Sequence, residues 1–104
     1  MAKKIGFIGA GNMAEALMRA MIESGEATPA EIIASEIVEK RREYITNTMK
    51  IATVPDNTIV ARESNVIVLA VKPDTIATVL TELKPILTPD HLLISIAAGV
   101  KISH

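Results

Sequence analysis

There is no cysteine in this sequence, and its only aromatic side chains are Phe7 and Tyr44. The first absence excludes disulfides, thiol nucleophiles and cysteine-ligated metal sites. The second means that the core, drawn from a chain that is 49% hydrophobic, must be built from Ile, Val, Leu, Ala and Met. Neither sign of charge prevails. The net charge is −1 with acids and bases interspersed, so no electrostatic footprint for nucleic acid or an anionic membrane is visible. Lys3 and Lys4 lead into an apolar run too short to span a bilayer and without a signal-peptide cleavage pattern. The expectation is a soluble cytoplasmic protein, with residues 1–104 making one modest domain.

What is present alternates. Residues 3–9 read as a buried strand. After Gly11, the apolar positions Ala14, Leu17, Met18, Met21 and Ile22 recur at helical spacing, up to a glycine stop at Ser24-Gly25. Residues 31–36 (EIIASE) form a second short strand. The charged stretch 38–45 is a solvated helix with Val38, Ile45 and Tyr44 turned inward. Residues 51–54 suit a third strand, and 56–63 a short helix capped by Asp56. The continuous apolar run 65–71 is expected of a central parallel strand buried on both faces. Pro73 opens a helix whose stripe is Ile76, Val79, Leu80 and Leu83, and 91–99 supplies a last buried strand. With no hairpin signal and no repeat, this is an α/β fold, a Rossmann-like doubly wound, mainly parallel sheet with helices on both faces.

Three glycines, Gly6, Gly9 and Gly11, crowd the passage from first strand to first helix. Gly9-Ala10-Gly11-Asn12-Met13-Ala14 fits G-x-G-x-x-(G/A), with a strand before it and a helix after it. The first glycine permits a tight turn, and the second lets a pyrophosphate approach the backbone. Ala14 is small enough for the helix to lie close on the strand. The helix N-terminus then offers unpaired N–H groups and a partial positive charge to phosphates. A dinucleotide is the ligand this pattern points to.

Other residues bear on the same ligand, each with a blander alternative. Glu36 ends the second strand, where an acid grips the adenosine ribose hydroxyls, or it simply opens a charged helix. Ala70, Val71, Lys72 and Pro73 end the central strand at the carboxyl edge of the sheet. Lys72 there is either a binding group or a solvated charge. Ala97, Ala98 and Gly99 end the last strand with minimal side chains, leaving room for a planar group or for close helix packing. His91 reads as a surface residue, His104 lies at the terminus, and Ser95 has no basic partner in view. The methionines read as core packing. No residue stands out as catalytic, and no His/Asp/Glu group has metal-ligand spacing.

Taken together, IGFIGAGNMAEAL at 5–17, AVKP at 70–73 and SIAAGV at 95–100 resemble the N-terminal domain of pyrroline-5-carboxylate reductase across essentially the whole chain. Pro55-Asp56-Asn57 is similar to a segment in which that family places an asparagine near the adenosine ribose. The resemblance implies reduction of a cyclic imine carboxylate to proline by hydride from NADPH or NADH. It implies that Ile8, Gly9, Ala10, Gly11, Asn12 and Met13 hold the pyrophosphate and that Asn57 contacts the adenosine side. Ala70–Pro73 and Ala97–Gly99 would line the nicotinamide end. Where the family often carries a residue suited to a 2′-phosphate this chain has Glu36, which leaves NADH open, although Lys40, Arg41 and Arg42 follow. Family members continue into a helical domain that dimerises and completes the substrate pocket, so a homo-oligomer and a missing C-terminal domain are expected. Two alternatives stand beside this: another imine or β-hydroxyacid reductase, which usually has glycine at the position of Ala14, or a non-catalytic NAD(P)-sensing module.

Overall fold

The structure, a computed structural model, describes residues 4–96. Five strands, β1 (Ile5–Ile8), β2 (Ile32–Ser35), β3 (Ala52–Val54), β4 (Val66–Leu69) and β5 (Leu92–Ser95), form one sheet in the order β3-β2-β1-β4-β5. All four pairings are parallel. Four helices connect them: α1 (Asn12–Glu23), α2 (Glu39–Met49), α3 (Asn57–Glu63) and α4 (Pro73–Leu83). The expected α/β architecture is what the chain adopts.

Strand alternation sorts the core into two halves, because successive side chains leave a strand on opposite faces. Phe7, Ile32, Ala34 and Val68 face one way and pack with Ala14 and Met18 of α1 and Ile45 and Met49 of α2. Ile8, Ile33, Ile67 and Leu69 face the other way and pack with Val60 and Ala61 of α3 and Ile76, Val79 and Leu83 of α4. The apolar run of β4 is continuous because both of its faces are covered. Local signals hold at the helix ends. The Asp56 carboxylate accepts the Thr58 N–H at 2.9 Å, and Gly25 ends α1 with φ +83°. Pro73 sits in the first turn of α4.

Three expectations are corrected. The last strand is not buried: Leu92, Leu93 and Ile94 are 56%, 38% and 42% exposed. Among the described residues β5 is an edge strand, and the helices spend their apolar stripes on the strands inside it. Val38 is exposed because it is the N-cap of α2, not part of its apolar stripe, which is Ile45 and Met49 one turn apart. Tyr44 also lies outward, because its hydroxyl donates to the Glu15 carboxylate at 3.0 Å across the α1–α2 surface. None of the helices in the described residues is long and apolar enough to cross a membrane.

Gly6 sits on the α3 face of β1, where an added β-carbon would collide with Ser64 Oγ and Val60 Cγ1. The Ser64 hydroxyl is buried and lacks a hydrogen-bond partner among the described residues. Gly6→Ala should therefore destabilise the domain by about 1–3 kcal/mol, the usual cost of overpacking. Ser64→Ala should cost nothing or gain up to about 1 kcal/mol, since it removes an unsatisfied buried group. Urea denaturation of both variants checks this, and a wild-type midpoint for Gly6→Ala would refute the packing account.

Candidate functional site

The chain leaves β1, builds β2 and β3 on one side, then returns to β4 on the other side of β1. The carboxyl ends of β1 and β4 therefore diverge into a crevice, where open α/β sheets bind ligands. A cleft of about 240 Å³ lies there, lined by Gly11–Ala14, Ala70–Pro73 and Ile96. Gly9 makes the turn into it. Its φ is +99°, and a β-carbon would stand 2.6 Å from the Ala70 carbonyl oxygen, so no other residue fits. Gly11 differs. Its φ of −78° is ordinary, and a β-carbon there would meet nothing within 4 Å. Among the described residues nothing demands glycine at 11, and the space beside it is open.

Helix α1 begins at this point without a side-chain cap, and its first backbone bond runs from Glu15 N–H to the Gly11 carbonyl. The N–H groups of Asn12, Met13 and Ala14 thus precede the hydrogen-bonded ladder and point out of the helix end. Together with the positive end of the helix dipole, they suit an anion reached through the bare backbone of Gly11. This cradle fits the diphosphate of a dinucleotide.

The other sequence-predicted residues divide. Met13, Asn12, Ala70, Val71, Lys72 and Pro73 line the cleft, with Lys72 exposed as the N-cap of α4. Ile8 does not reach it: its side chain is fully buried toward α3 and α4, and its carbonyl accepts the Ala70 N–H at 2.9 Å. Ala10 is buried and held by protein on both sides, as described below. Glu36 curls back over the turn, one carboxylate oxygen accepting the Ala10 N–H and the other the Val38 N–H, each at 3.2 Å. Each oxygen keeps a further lone pair for a hydroxyl donor. Asn57 opens α3 beside β2, where its Oδ1 accepts the Ser35 hydroxyl at 2.6 Å and its amide donates to Glu82 at 3.0 Å. Ala97, Ala98 and Gly99 lie outside the described residues.

Sequence reasoning missed Ser35, Glu82 and Ile96 and undervalued the arginines. Ser35 is 2% exposed, and its Oγ accepts the Gly9 N–H at 3.2 Å while donating to Asn57. A hydroxyl ending an otherwise apolar strand is the signal that could have found it. Arg42 donates to the carbonyls of Glu36 and Ile37 at 2.7 and 3.1 Å, and so braces the loop after β2. His91 is tied down, with Nδ1 accepting the Thr88 N–H and Nε2 on the Ala61 carbonyl, both at 3.0 Å. That makes it a structural strut ahead of β5.

Glu15 anchors the α1–α2 surface, paired with Arg19 and Arg41 at 2.8 Å each. The Arg19 hydrogen bond, then those of Tyr44 and Arg41, hold its carboxyl below the ordinary glutamate value against the opposing effect of burial. A carboxylate with a depressed folded value adds stability above its unfolded value, and that stability is lost as pH falls through the folded one. Glu15→Gln should then lower stability by on the order of 1 kcal/mol near neutrality, with the gap closing on the acid side. Urea midpoints across pH read this; a gap that stays constant into acid would assign the loss to packing.

A family model described as NADP oxidoreductase coenzyme F420-dependent matches residues 4–99. Among curated relatives, the chain is 46% identical over 101 residues to pyrroline-5-carboxylate reductase of Methanosarcina acetivorans, covering 97% of this chain and 37% of that protein. It is 40% identical to the enzyme of the same name from Glycine max, covering 94% and 36%. Among solved structures, pyrroline-5-carboxylate reductase from Coxiella burnetii superposes with a TM-score of 0.86 at 35% identity, covering 97% of this chain and 37% of that one. The Plasmodium falciparum pyrroline carboxylate reductase with NADP bound gives 0.79 at 31% identity, covering 96% and 35%. The chain thus spans little more than a third of the length of these relatives. On the match over nearly its whole length, it belongs to the family NADP oxidoreductase coenzyme F420-dependent.

Proposed function

We propose that this chain is the dinucleotide-binding portion of a pyrroline-5-carboxylate reductase, holding NADPH or NADH for reduction of a cyclic imine carboxylate to proline. The observation that carries the reading is Gly11, a glycine the fold does not require, placed with open space beside it at the uncapped start of α1. The names of the relatives and the NADP of the Plasmodium falciparum structure support it. In this reading the N–H groups of Asn12, Met13 and Ala14 bind the diphosphate. The Glu36 carboxylate accepts from the adenosine ribose, and Asn57, oriented by Ser35 and Glu82, completes that end. Ala70–Pro73 form one wall of the nicotinamide pocket, the end to which the family resemblance also assigns Ala97–Gly99. When bound, the nicotinamide supplies a hydride to the imine carbon.

Lys72 is the one ionisable residue lining the cleft among the described residues. The groups that bind the substrate carboxylate and protonate the ring nitrogen are therefore assigned to the further two thirds of such a reductase, a helical domain that also makes the homo-oligomer. The same reading puts the enzyme in the cytoplasm, with a small-molecule substrate and no nucleic acid as partner.

Gly11→Val tests the site. The variant should still fold, because a β-carbon there meets no described atom within 4 Å, yet lose dinucleotide binding measured by calorimetry. In a whole reductase carrying this segment, it should abolish NAD(P)H-dependent reduction of pyrroline-5-carboxylate. Unchanged affinity would sink the assignment.

Cofactor choice gives a second test. A carboxylate about 4 Å from a 2′-phosphate faces a repulsion of roughly 4 kcal/mol per unit charge at an effective dielectric near 20, before screening. Glu36 is tethered to two backbone N–H groups, so swinging away forfeits both bonds. Glu36→Ser should move the ratio of NADPH to NADH affinity toward NADPH by roughly tenfold or more. A ratio that does not move would show that selection lies elsewhere.

A further inference from the structure

The cleft, the Glu36 loop and Asn57 belong to the site already described, but one side chain that holds this site together lies in none of them. Arg41, on the first turn of α2, reaches across to the glycine-rich turn. Its Nε–H donates to the Ala10 carbonyl at 2.6 Å, while Nη2 donates to Glu15 of α1 at 2.8 Å. The guanidinium carbon lies 5.1 Å from the centroid of the Tyr44 ring, and the side chain is only 24% exposed. A rigid planar fork serving two acceptors, backed by an aromatic face, has little freedom to move.

The peptide bond that joins Ala10 to Gly11 is planar and trans, so its C=O and N–H point in opposite directions. Arg41 draws the carbonyl toward α2, on the β2 side of β1. The Gly11 N–H therefore points away from Arg41, and Gly11 itself borders the cleft. The preceding peptide is fixed as well, because Glu36 accepts its Ala10 N–H. We propose that Arg41 is a positioning residue for the phosphate-binding turn: by clamping the Ala10 carbonyl it presents the Gly11 N–H to the diphosphate in the unliganded protein. The proposal rests on the dinucleotide reading above. It does not make Arg41 a ligand of the cofactor: the two N–H donors assigned here go to Ala10 and Glu15.

Calorimetric titration of the chain with NADH and with NADPH, for wild type, Arg41→Met and Arg19→Met, tests it. Arg19→Met removes the other arginine from Glu15 and leaves the turn untouched. Arg41→Met should weaken both dinucleotides by the same factor, roughly tenfold or more, the weight of a charge-assisted hydrogen bond. It should also shift the Gly11 amide resonance of the unliganded protein, whereas Arg19→Met should leave both readouts near wild type. Loss confined to NADPH would overturn the proposal by making Arg41 a direct 2′-phosphate ligand. Undiminished binding, or an equal loss in Arg19→Met, would also overturn it. Should Arg41→Met not fold, the wild-type protein decides: a scalar coupling between Arg41 Nε and the Ala10 carbonyl carbon supports the clamp, and its absence removes it. Wild type that binds neither dinucleotide overturns the functional reading itself, and this proposal with it.

Discussion

The close contact between Gly9 and the Ala70 carbonyl is the constraint on which the rest of the site depends. With φ at +99° and no room for a β-carbon, the chain turns directly off β1 against the exit of β4. That turn sets where α1 can begin. It leaves Gly11 as the N-cap and brings Ala14 down onto the sheet, where its small side chain is 1% exposed. A looser turn would separate the helix start from the β4 exit and dissolve the cleft between them. The switch in strand order supplies a crevice, and Gly9 makes it narrow enough to be a site.

Two glycines two residues apart thus answer to different masters. Gly9 is required by the fold, whatever binds. Gly11 is required by no described residue, which is why it carries the functional argument and Gly9 does not. Sequence alone could place the tight turn at Gly9 because strand, turn and helix are contiguous and the spacing itself encodes the geometry. The same locality made the Asp56 cap, the Gly25 stop and the buried run of β4 legible. Legibility failed where an outcome depends on what covers a surface. Residues 92–95 carry an apolar pattern suited to a buried strand, yet β5 falls at the sheet edge and its pattern cannot say so. Val38 and Tyr44 failed likewise, one spent as a cap and the other drawn out by Glu15.

The supporting residues of the site were the least legible, since they act through contacts between distant parts of the chain. Ser35 meets Asn57 across 22 residues, and Arg41 meets Ala10 across 31. No spacing rule connects such positions. Arg41 and Arg42 look from the sequence like free charges available to a 2′-phosphate. In the folded chain their hydrogen bonds go to the carbonyls of Ala10, Glu36 and Ile37 and to the Glu15 carboxylate.

This pairing has an electrostatic consequence. Arg41 pairs with Glu15 and Arg42 is held on backbone carbonyls, and among the described residues Lys72 is the one ionisable side chain that lines the cleft. Attraction for a diphosphate then falls to neutral N–H groups and the end of one helix, donors that are directional and short-ranged. Directional donors help only when their peptides are held still. The Ala10 peptides are held by a carboxylate on one side and a guanidinium on the other, and both come from the segment that follows β2. Glu36, which the proposed function assigns to the ribose, is also one of the two side chains that hold the Ala10 peptides. On the proposed function, a change at that position alters recognition of the adenosine end and presentation of the diphosphate donors together, because Ala10 depends on Glu36 for its N–H partner.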